Sequence, residues 1–130
     1  MIYQLLYTSV ARFPRGHSSD LDILHHSMNR NPARGISGHL LRDERGFCHV
    51  IEGPKDPVRW LFARIRQDWR HSRVIERMNR EVPERSFPSF TMGYGTLNPE
   101  DAAFLSRCYL DGDHGAVLAF RRVGRLAAAG

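Results

Sequence analysis

A histidine stands in the middle of a short predicted strand, RGFCHVIEG at residues 45–53. Successive side chains of a strand point to opposite faces, so Phe47, His49 and Ile51 share one face. The face that carries Phe47 and Ile51 is expected to be the inner one, which turns a titratable imidazole inward. Taken alone, a buried histidine is more often a hydrogen-bonded core residue than a functional one.

Two further groups of polar residues lie at helical spacing. Ser27 and Asn31 are four residues apart in a first predicted helix and share a face. Arg64, Asp68 and His71 occupy positions i, i+4 and i+7 of a second predicted helix, again on one stripe. By spacing alone, the second group is typical of a surface ion pair. Two such helices on one side of a sheet would instead form a cleft for a flat ligand with a polar edge and a phosphate-bearing tail.

The elements that must position these residues follow the order β-α-β-β-α-β-β. Alternating and aromatic apolar residues predict strands at 2–9, 36–43, 46–53, 73–82 and 89–95. The first helix is expected to begin at Ser18 or Ser19 and to end at Asn31, which precedes a proline. The second is expected to have Asp56 as its N-cap and Pro57 at its first position. This order predicts an α+β, ferredoxin-like fold, a mostly antiparallel sheet with two helices on one face.

The C-terminal part of the chain carries a different pattern. Helical periodicity recurs at 98–110 and 114–126, separated by the turn-like DGDHG. We therefore divide the chain into a main domain at 1–96 and a helical extension at 97–130. The extension is expected to pack on the free face of the sheet.

The charge of the chain is basic but dispersed. Its 18 arginines and single lysine stand against 14 acidic residues, for a net charge of +5. The arginines are spread among acids with no block of like charge, so a solvated surface is favoured over a nucleic-acid interface. Two cysteines without CxxC spacing favour a reducing cytoplasm, and no apolar run suits a signal peptide or a membrane span. No catalytic motif and no metal-ligand spacing among the seven histidines is present, so neither an enzyme nor a metal site is expected.

Five short motifs occur in order over about three-quarters of the chain: LLYTS at 5–9, NPARGISGHLL at 31–41, F-x-x-x-IEG at 47–53, RIRQDWRHS at 64–72 and RSFPSFTMG at 85–93. Each motif is weak alone, but five in register are specific. On these residues the chain resembles the BLUF family of flavin-binding blue-light sensors, whose fold is also ferredoxin-like.

The resemblance implies that residues 1–96 hold a flavin between the two helices. FAD is the family's usual cofactor, with FMN and riboflavin as alternatives. The implied cofactor-binding residues are Tyr7, Ser27, Asn31, Phe47, His49, Arg64, Asp68, Arg70 and His71. The implied photoactive residues are Tyr7, His49, Phe90 and Met92.

Several of these residues carry a role from the family. Tyr7 matches the tyrosine that gives an electron and then a proton to the excited flavin. Asn31 matches the asparagine that bonds the polar edge of the flavin ring, and Phe47 an aromatic packed on it. Phe90 stands where many members have tryptophan, and Met92 matches a methionine near the photoactive centre.

The sequence departs from the family at position 49, where the family has glutamine. A neutral imidazole has one donor and one acceptor, whereas an amide has two donors and a carbonyl acceptor. Rotation of that amide strengthens its bond to the flavin carbonyl in the family. We therefore expect flavin binding with a red-shifted signalling state that is lost or altered.

Two other classes of function remain at this point. One is a ferredoxin-like interaction module without a chromophore, in which the basic second helix is the working surface. The other is a small hydrolase of acylphosphatase-like plan, which has only the fold in its favour. For a sensor without an attached effector, the output would pass to an unnamed protein partner or through a homo-oligomer.

Overall fold

The computed structural model describes residues 1–15, 35–87 and 92–129 of the 130-residue chain. Its strands are β1 (Ile2–Ala11), β2 (Ser37–Arg42), β3 (Gly46–Gly53), β4 (His71–Val82) and β5 (Met92–Thr96). Its helices are α1 (Lys55–Ile65), α2 (Pro99–Cys108) and α3 (Gly112–Ala129). The first predicted helix lies outside the described residues.

The five strands form one mixed sheet in the order β4-β1-β3-β2-β5. All neighbours are antiparallel except β2 and β5, which run parallel. The first four strands therefore have the ferredoxin-like order that the sequence predicts, and β5 extends the sheet beside β2. Asp43 closes the β2–β3 hairpin, because its Oδ1 accepts the backbone N–H groups of Arg45 (2.8 Å) and Gly46 (2.7 Å).

Helices cover the sheet on both faces, which explains why every residue of β2 and β3 is buried. On one face, Val58 and Phe62 of α1 pack against Leu5, Tyr7 and Ile51. On the other, α2 and α3 pack against Leu6, Cys48 and Val50 through a cluster that includes Leu105, Ala119, Phe120 and Val123. The predicted alternation of β3 is confirmed, since Cys48 and Val50 belong to the opposite cluster from Ile51.

The helix boundaries differ from the sequence prediction, and the C-terminal helical patterns at 98–110 and 114–126 are observed as Pro99–Cys108 and Gly112–Ala129. Helix α1 begins at Lys55 with Pro54 as its N-cap, so Asp56 lies in the first turn and is not the cap. It ends at Ile65, six residues before His71. Helix α2 is capped by Asn98, whose side chain accepts the backbone N–H of Asp101 at 2.8 Å. No helix among the residues described is long and apolar enough to cross a membrane.

A buried carboxylate ties the sheet to the segment that precedes β5. Glu52 is fully buried, and its oxygens accept hydrogen bonds from Gln4 Nε2 (2.7 Å), Ser37 Oγ (3.4 Å), Ser86 N (3.0 Å) and Phe87 N (2.6 Å). A buried charge is tolerated only when its lone pairs are satisfied in this way. Glu52 thereby joins β1, β2 and β3 to residues 86 and 87.

Replacing Glu52 by glutamine is expected to lower the free energy of unfolding by about 2 kcal/mol. The amide keeps one acceptor but turns an NH₂ group toward a backbone N–H that needs an acceptor. Urea unfolding at neutral pH measures the loss. Glu44→Gln, at an exposed hairpin position, is the matched control and should change stability by less than about 0.5 kcal/mol. Equal small effects at both positions would show that the Glu52 bonds contribute little.

Candidate functional site

A cavity of about 360 Å³ opens between the sheet and the C-terminal end of α1. Its volume is in the range of small-molecule sites. Among the residues described, it is lined by Tyr7, Leu40, Phe47, His49, Leu61, Arg64, Ile65, Gln67, Asp68, Trp69, Arg70 and His71. The structure thus brings together seven of the site residues expected from the sequence: Tyr7, Phe47, His49, Arg64, Asp68, Arg70 and His71.

The inner wall of the cavity is formed by a tyrosine and a histidine on paired strands. Tyr7 of β1 lies opposite His49 of β3 in the sheet register, and the Tyr7 hydroxyl is 2.8 Å from His49 Nδ1. The two rings meet edge to face, with centroids 5.2 Å apart. Both side chains are at most 2% exposed. The pair is therefore a hydrogen-bonded couple shielded from bulk water.

Burial keeps both members of this pair neutral. Burial, with smaller contributions from the charges of Asp68 and Cys48, raises the pKa of the Tyr7 phenol far above its ordinary value. Burial also lowers the pKa of His49 to about 3, with additional repulsion from His71 and His39. At neutral pH the imidazole is uncharged, and it can act as a base toward the phenol.

The lowered pKa of His49 predicts an acid-sensitive fold. An unfolded chain protonates this histidine below about pH 6.5, whereas the folded chain keeps it neutral down to about pH 3. The contribution of His49 to stability is complete above pH 6.5 and is lost as the pH falls toward 3. From pH 7 to pH 5, the wild type should lose roughly 2 kcal/mol more unfolding free energy than His49→Gln. Urea unfolding at several pH values tests this, and parallel curves for the two proteins would contradict it.

His71 is fixed by hydrogen bonds at both ring nitrogens. Nε2 lies 2.7 Å from the carbonyl oxygen of Ile65, which can only accept, so Nε2 carries the proton. In the neutral ring, Nδ1 accepts a hydrogen bond from the Ser9 hydroxyl at 2.8 Å. His71 thus connects the end of α1 to β1 and lines the cavity with both ring nitrogens already hydrogen-bonded. Ser9 is a supporting residue that the spacing argument did not single out.

A bidentate ion pair shapes the rim of the cavity. Arg70 Nε and Nη2 donate to the Asp68 carboxylate at 2.9 and 2.6 Å, and the Arg70 backbone N–H donates to Asp68 Oδ1 at 3.0 Å. Burial raises the pKa of Asp68, but the hydrogen bonds and charge of Arg70 outweigh it and hold the pKa below its usual value. The loop that follows α1 is therefore held in one conformation by its own side chains.

The prediction that Arg64, Asp68 and His71 share one face of a helix is wrong. Arg64 lies in the last turn of α1, Asp68 in the turn beyond it, and His71 begins β4. They line one cavity because successive turns reverse the chain, with Gln67 N donating to the Arg64 carbonyl (3.0 Å) and Asp68 N to that of Ile65 (3.0 Å).

Four expected site residues lack a full description. Ser27, Asn31 and Phe90 lie outside the described residues. Met92 is the first residue of β5, where its backbone pairs with Gly38 of β2. Leu40 and Gln67 line the cavity without having been predicted. Leu40 could have been found from the strand pattern, because it lies directly opposite His49 in the β2–β3 register.

The strand that carries Tyr7 pairs irregularly with β4. The register between them shifts between Leu6 and Tyr7 and again between Thr8 and Val10. At the second shift Arg73 adopts a left-handed backbone conformation with φ of 51°. Bulges of this kind often adjust side-chain direction beside a functional site, and these two bracket Tyr7.

Comparison with known proteins identifies the family. A family model described as BLUF, sensors of blue-light using FAD, matches residues 2–93. The chain belongs to the BLUF family. The members of this family are flavin-binding blue-light photoreceptor domains, so the predicted function class is confirmed.

The curated BLUF relatives are longer proteins. The chain is 38% identical over 85 residues to the photoactivated adenylate cyclase subunit beta of Euglena gracilis, a stretch that covers 65% of this chain and 10% of that subunit. It is 28% identical over 87 residues to the blue light- and temperature-regulated antirepressor BluF of Escherichia coli, covering 67% and 22%. The matched region is thus about a tenth to a fifth of these relatives.

A solved BLUF structure agrees over almost the whole chain. The dark state structure of BlrB, a BLUF protein, superposes with a TM-score of 0.77 at 25% identity, covering 99% of this chain and 97% of that one. The ferredoxin-like α+β fold of this BLUF chain is confirmed.

Proposed function

We propose that this BLUF chain binds FAD in the cavity beside the Tyr7–His49 pair and uses the pair for blue-light sensing. The observation that carries the proposal is the buried 2.8 Å contact between Tyr7 and His49 on the wall of a ligand-sized cavity. Met92, Ser27, Asn31 and Phe90 complete the proposed site by resemblance to the family.

The side chains that line the described part of the cavity suit a flavin ring. Apolar side chains of Leu40, Phe47, Leu61 and Ile65 offer packing surface for a flat aromatic ligand. At the inner wall, the Tyr7–His49 pair can meet the polar edge of such a ring. At the rim, Arg64 and the Asp68–Arg70 pair provide polar and charged groups for the hydrophilic tail, and His71 packs its ring on the same cavity.

Bound FAD would absorb the blue light and act as the electron acceptor. With a flavin in the cavity, Tyr7 would be the electron donor, and its oxidised phenol would be a strong acid. Its O–H bond then breaks, and the proton passes to Nδ1 of His49, 2.8 Å away, where a new N–H bond forms. Return of the proton to Tyr7 would accompany return of the electron, so the pair would end unchanged.

The photocycle is proposed to differ from that of a chain with glutamine at position 49. In a neutral His49 the nitrogen that accepts from Tyr7 cannot also donate, and rotation of the ring does not convert a donor into a carbonyl acceptor. We infer that the Tyr7–His49 reaction reverses without leaving the rearranged hydrogen bonds that produce a red-shifted state.

Flavin titration of apoprotein tests the site. Leu40→Phe, which adds volume at the cavity wall, should weaken FAD binding roughly tenfold. Leu41→Phe is the matched control, since Leu41 is the next residue of β2 and packs on the opposite face. Fluorescence titration with FAD, FMN and riboflavin gives both the affinities and the preferred flavin. Equal affinities for the two variants would place the flavin elsewhere.

We propose that the chain senses and does not catalyse, with its output passing to a protein partner or a second copy. In this view residues 1–96 form the flavin-binding domain, and residues 97–130 form the extension that carries the signal. The family relationship supports a flavin sensor, and the two free cysteines, Cys48 and Cys108, suit a cytoplasmic location.

A further inference from the structure

The two residues directly behind the Tyr7–His49 pair face the C-terminal helices. In the β1–β3 register, Tyr7 lies opposite His49, and the next pair is Thr8 opposite Cys48. Side chains of a strand alternate between faces. A change in the position of Tyr7 or His49 therefore acts on Thr8 and Cys48 through one peptide unit on each strand.

Both of these residues connect to Tyr109, the C-cap of α2. The Tyr109 hydroxyl is 3.7 Å from Cys48 Sγ, a hydrogen bond of the length that sulfur makes. Arg77 donates from Nε to Thr8 Oγ1 at 2.8 Å and places its guanidinium 5.1 Å from the centre of the Tyr109 ring. The Tyr109 phenol thus contacts β3 directly through Cys48, and β1 indirectly through Arg77 of β4.

Arg77 also marks an irregularity of the sheet beside Tyr7. In the β1–β4 register, Leu6 pairs with Met78 and Tyr7 with Glu76, so Arg77 is the extra residue between them. A bulge locally disrupts the ladder of hydrogen bonds and changes strand twist. A shift of β1 at Tyr7 is therefore expected to move Arg77 with it.

The surroundings of Tyr109 leave it room to move. A second cavity, of about 350 Å³, lies between the sheet and α2, and its lining includes Cys48, Arg77, Leu105, Tyr109 and Leu110. Leu110, which follows Tyr109, is 85% exposed. The phenol is held by two specific contacts beside open volume, so loss of either contact permits a second position.

We propose that Tyr109 couples the Tyr7–His49 pair to the end of α2, so that the state of this pair sets the stability of the α2–α3 junction. This inference rests on the proposed function, because the proposed photosensing role supplies the stimulus. The coupling itself is a property of the folded chain, because linkage between two sites operates in both directions and without light.

Hydrogen exchange in the dark, without flavin, tests the coupling. The reporters are the amides of residues 109–111, which donate to the carbonyls of Leu105, Arg107 and Cys108. Tyr7→Phe should raise their exchange roughly threefold in the wild-type background and leave it unchanged in the Tyr109→Phe background. Tyr3→Phe, on the same face of β1 but opposite Gly53, is the matched control and should have no effect. Amides of residues 119–123 in α3 report global unfolding, against which the rates are compared.

The proposal is overturned if Tyr7→Phe does not raise amide exchange at residues 109–111. It is also overturned if the increase persists in the Tyr109→Phe background. A second arm uses FAD-loaded protein with His49→Gln, compared with the same protein carrying Tyr109→Phe. Blue light should alter exchange at 109–111 only when Tyr109 is present, while the flavin spectrum responds in both proteins. Failure of the flavin to respond would count against the proposed function, and the dark comparison would still decide the coupling.

Discussion

Replacing His49 by glutamine is expected to create a reversible, light-induced red shift of flavin absorption. The amide offers the carbonyl and NH₂ ends that an imidazole lacks, so it can exchange donor and acceptor toward Tyr7 and the ligand. Position 49 is already placed for this role, with its side chain buried, on the cavity wall and 2.8 Å from the Tyr7 hydroxyl. Light-minus-dark absorption spectra of FAD-loaded protein, followed through recovery in darkness, measure the effect.

Two control variants separate amide chemistry at this position from a general effect of losing a histidine. His39→Gln removes another buried histidine, which stacks on Phe87 with ring centroids 6.3 Å apart and lies opposite Val50. It should leave the spectrum of the wild type unchanged. His49→Asn carries the same amide on a shorter side chain and should restore little of the shift. A His49→Gln protein that binds FAD but shows no red shift would contradict the assigned role of residue 49.

Replacing Tyr7 by phenylalanine is expected to raise the fluorescence of bound flavin several-fold. The Tyr7 phenol is proposed to quench the excited flavin by donating an electron, and phenylalanine cannot do so at a comparable potential. The substitution also leaves Nδ1 of His49 without the hydroxyl, which should lower the free energy of unfolding by about 1 kcal/mol. Fluorescence lifetimes of FAD-loaded protein, with circular dichroism to verify folding, give the result.

Trp69 is the informative control for this prediction, because indole is also an electron donor. Its side chain lines the same cavity but is 65% exposed, and its ring packs edge to face on Phe13 with centroids 5.5 Å apart. Trp69→Phe should leave most of the quenching in place. If Trp69→Phe raises fluorescence and Tyr7→Phe does not, electron donation proceeds from the rim and Tyr7 is not the primary donor.

The sheet and its facing pattern could be predicted because strand periodicity is a local property. Alternation in β3 predicted that Phe47 and His49 share a face, and both line one cavity. The turn at Asp43 then sets the hairpin register that brings Leu40 opposite His49. The alternation depends only on neighbouring residues, and the register depends only on the residues of the hairpin.

The loop between α1 and β4 could not be predicted in the same way. Spacing of Arg64, Asp68 and His71 matched a helix, but α1 ends at Ile65. The alternative conformation is stabilised by the Asp68–Arg70 pair and by the bond from His71 to Ser9, 62 residues away. Local propensity is a weak guide where contacts between distant segments compete with it.

The burial of Glu52 in the core could not be predicted from local sequence either. An isolated glutamate in sequence predicts an exposed side chain. Its donors at Gln4, Ser86 and Phe87 are between 34 and 48 residues away, and they make full burial tolerable only after the sheet has assembled. The IEG motif that contains Glu52 helped to identify the family, but the burial of Glu52 depends on contacts between segments that are distant in sequence.

A light-minus-dark absorption spectrum of the purified wild-type protein, loaded with FAD and illuminated with blue light, shows whether His49 supports a red-shifted state. We expect the absorption of a bound flavin with no lasting red shift, because His49 accepts the Tyr7 proton and returns it without rearranging hydrogen bonds. A full red shift that recovers in darkness would contradict the role assigned to His49. A protein that binds no flavin would contradict the site itself and favour an interaction module built on the same fold.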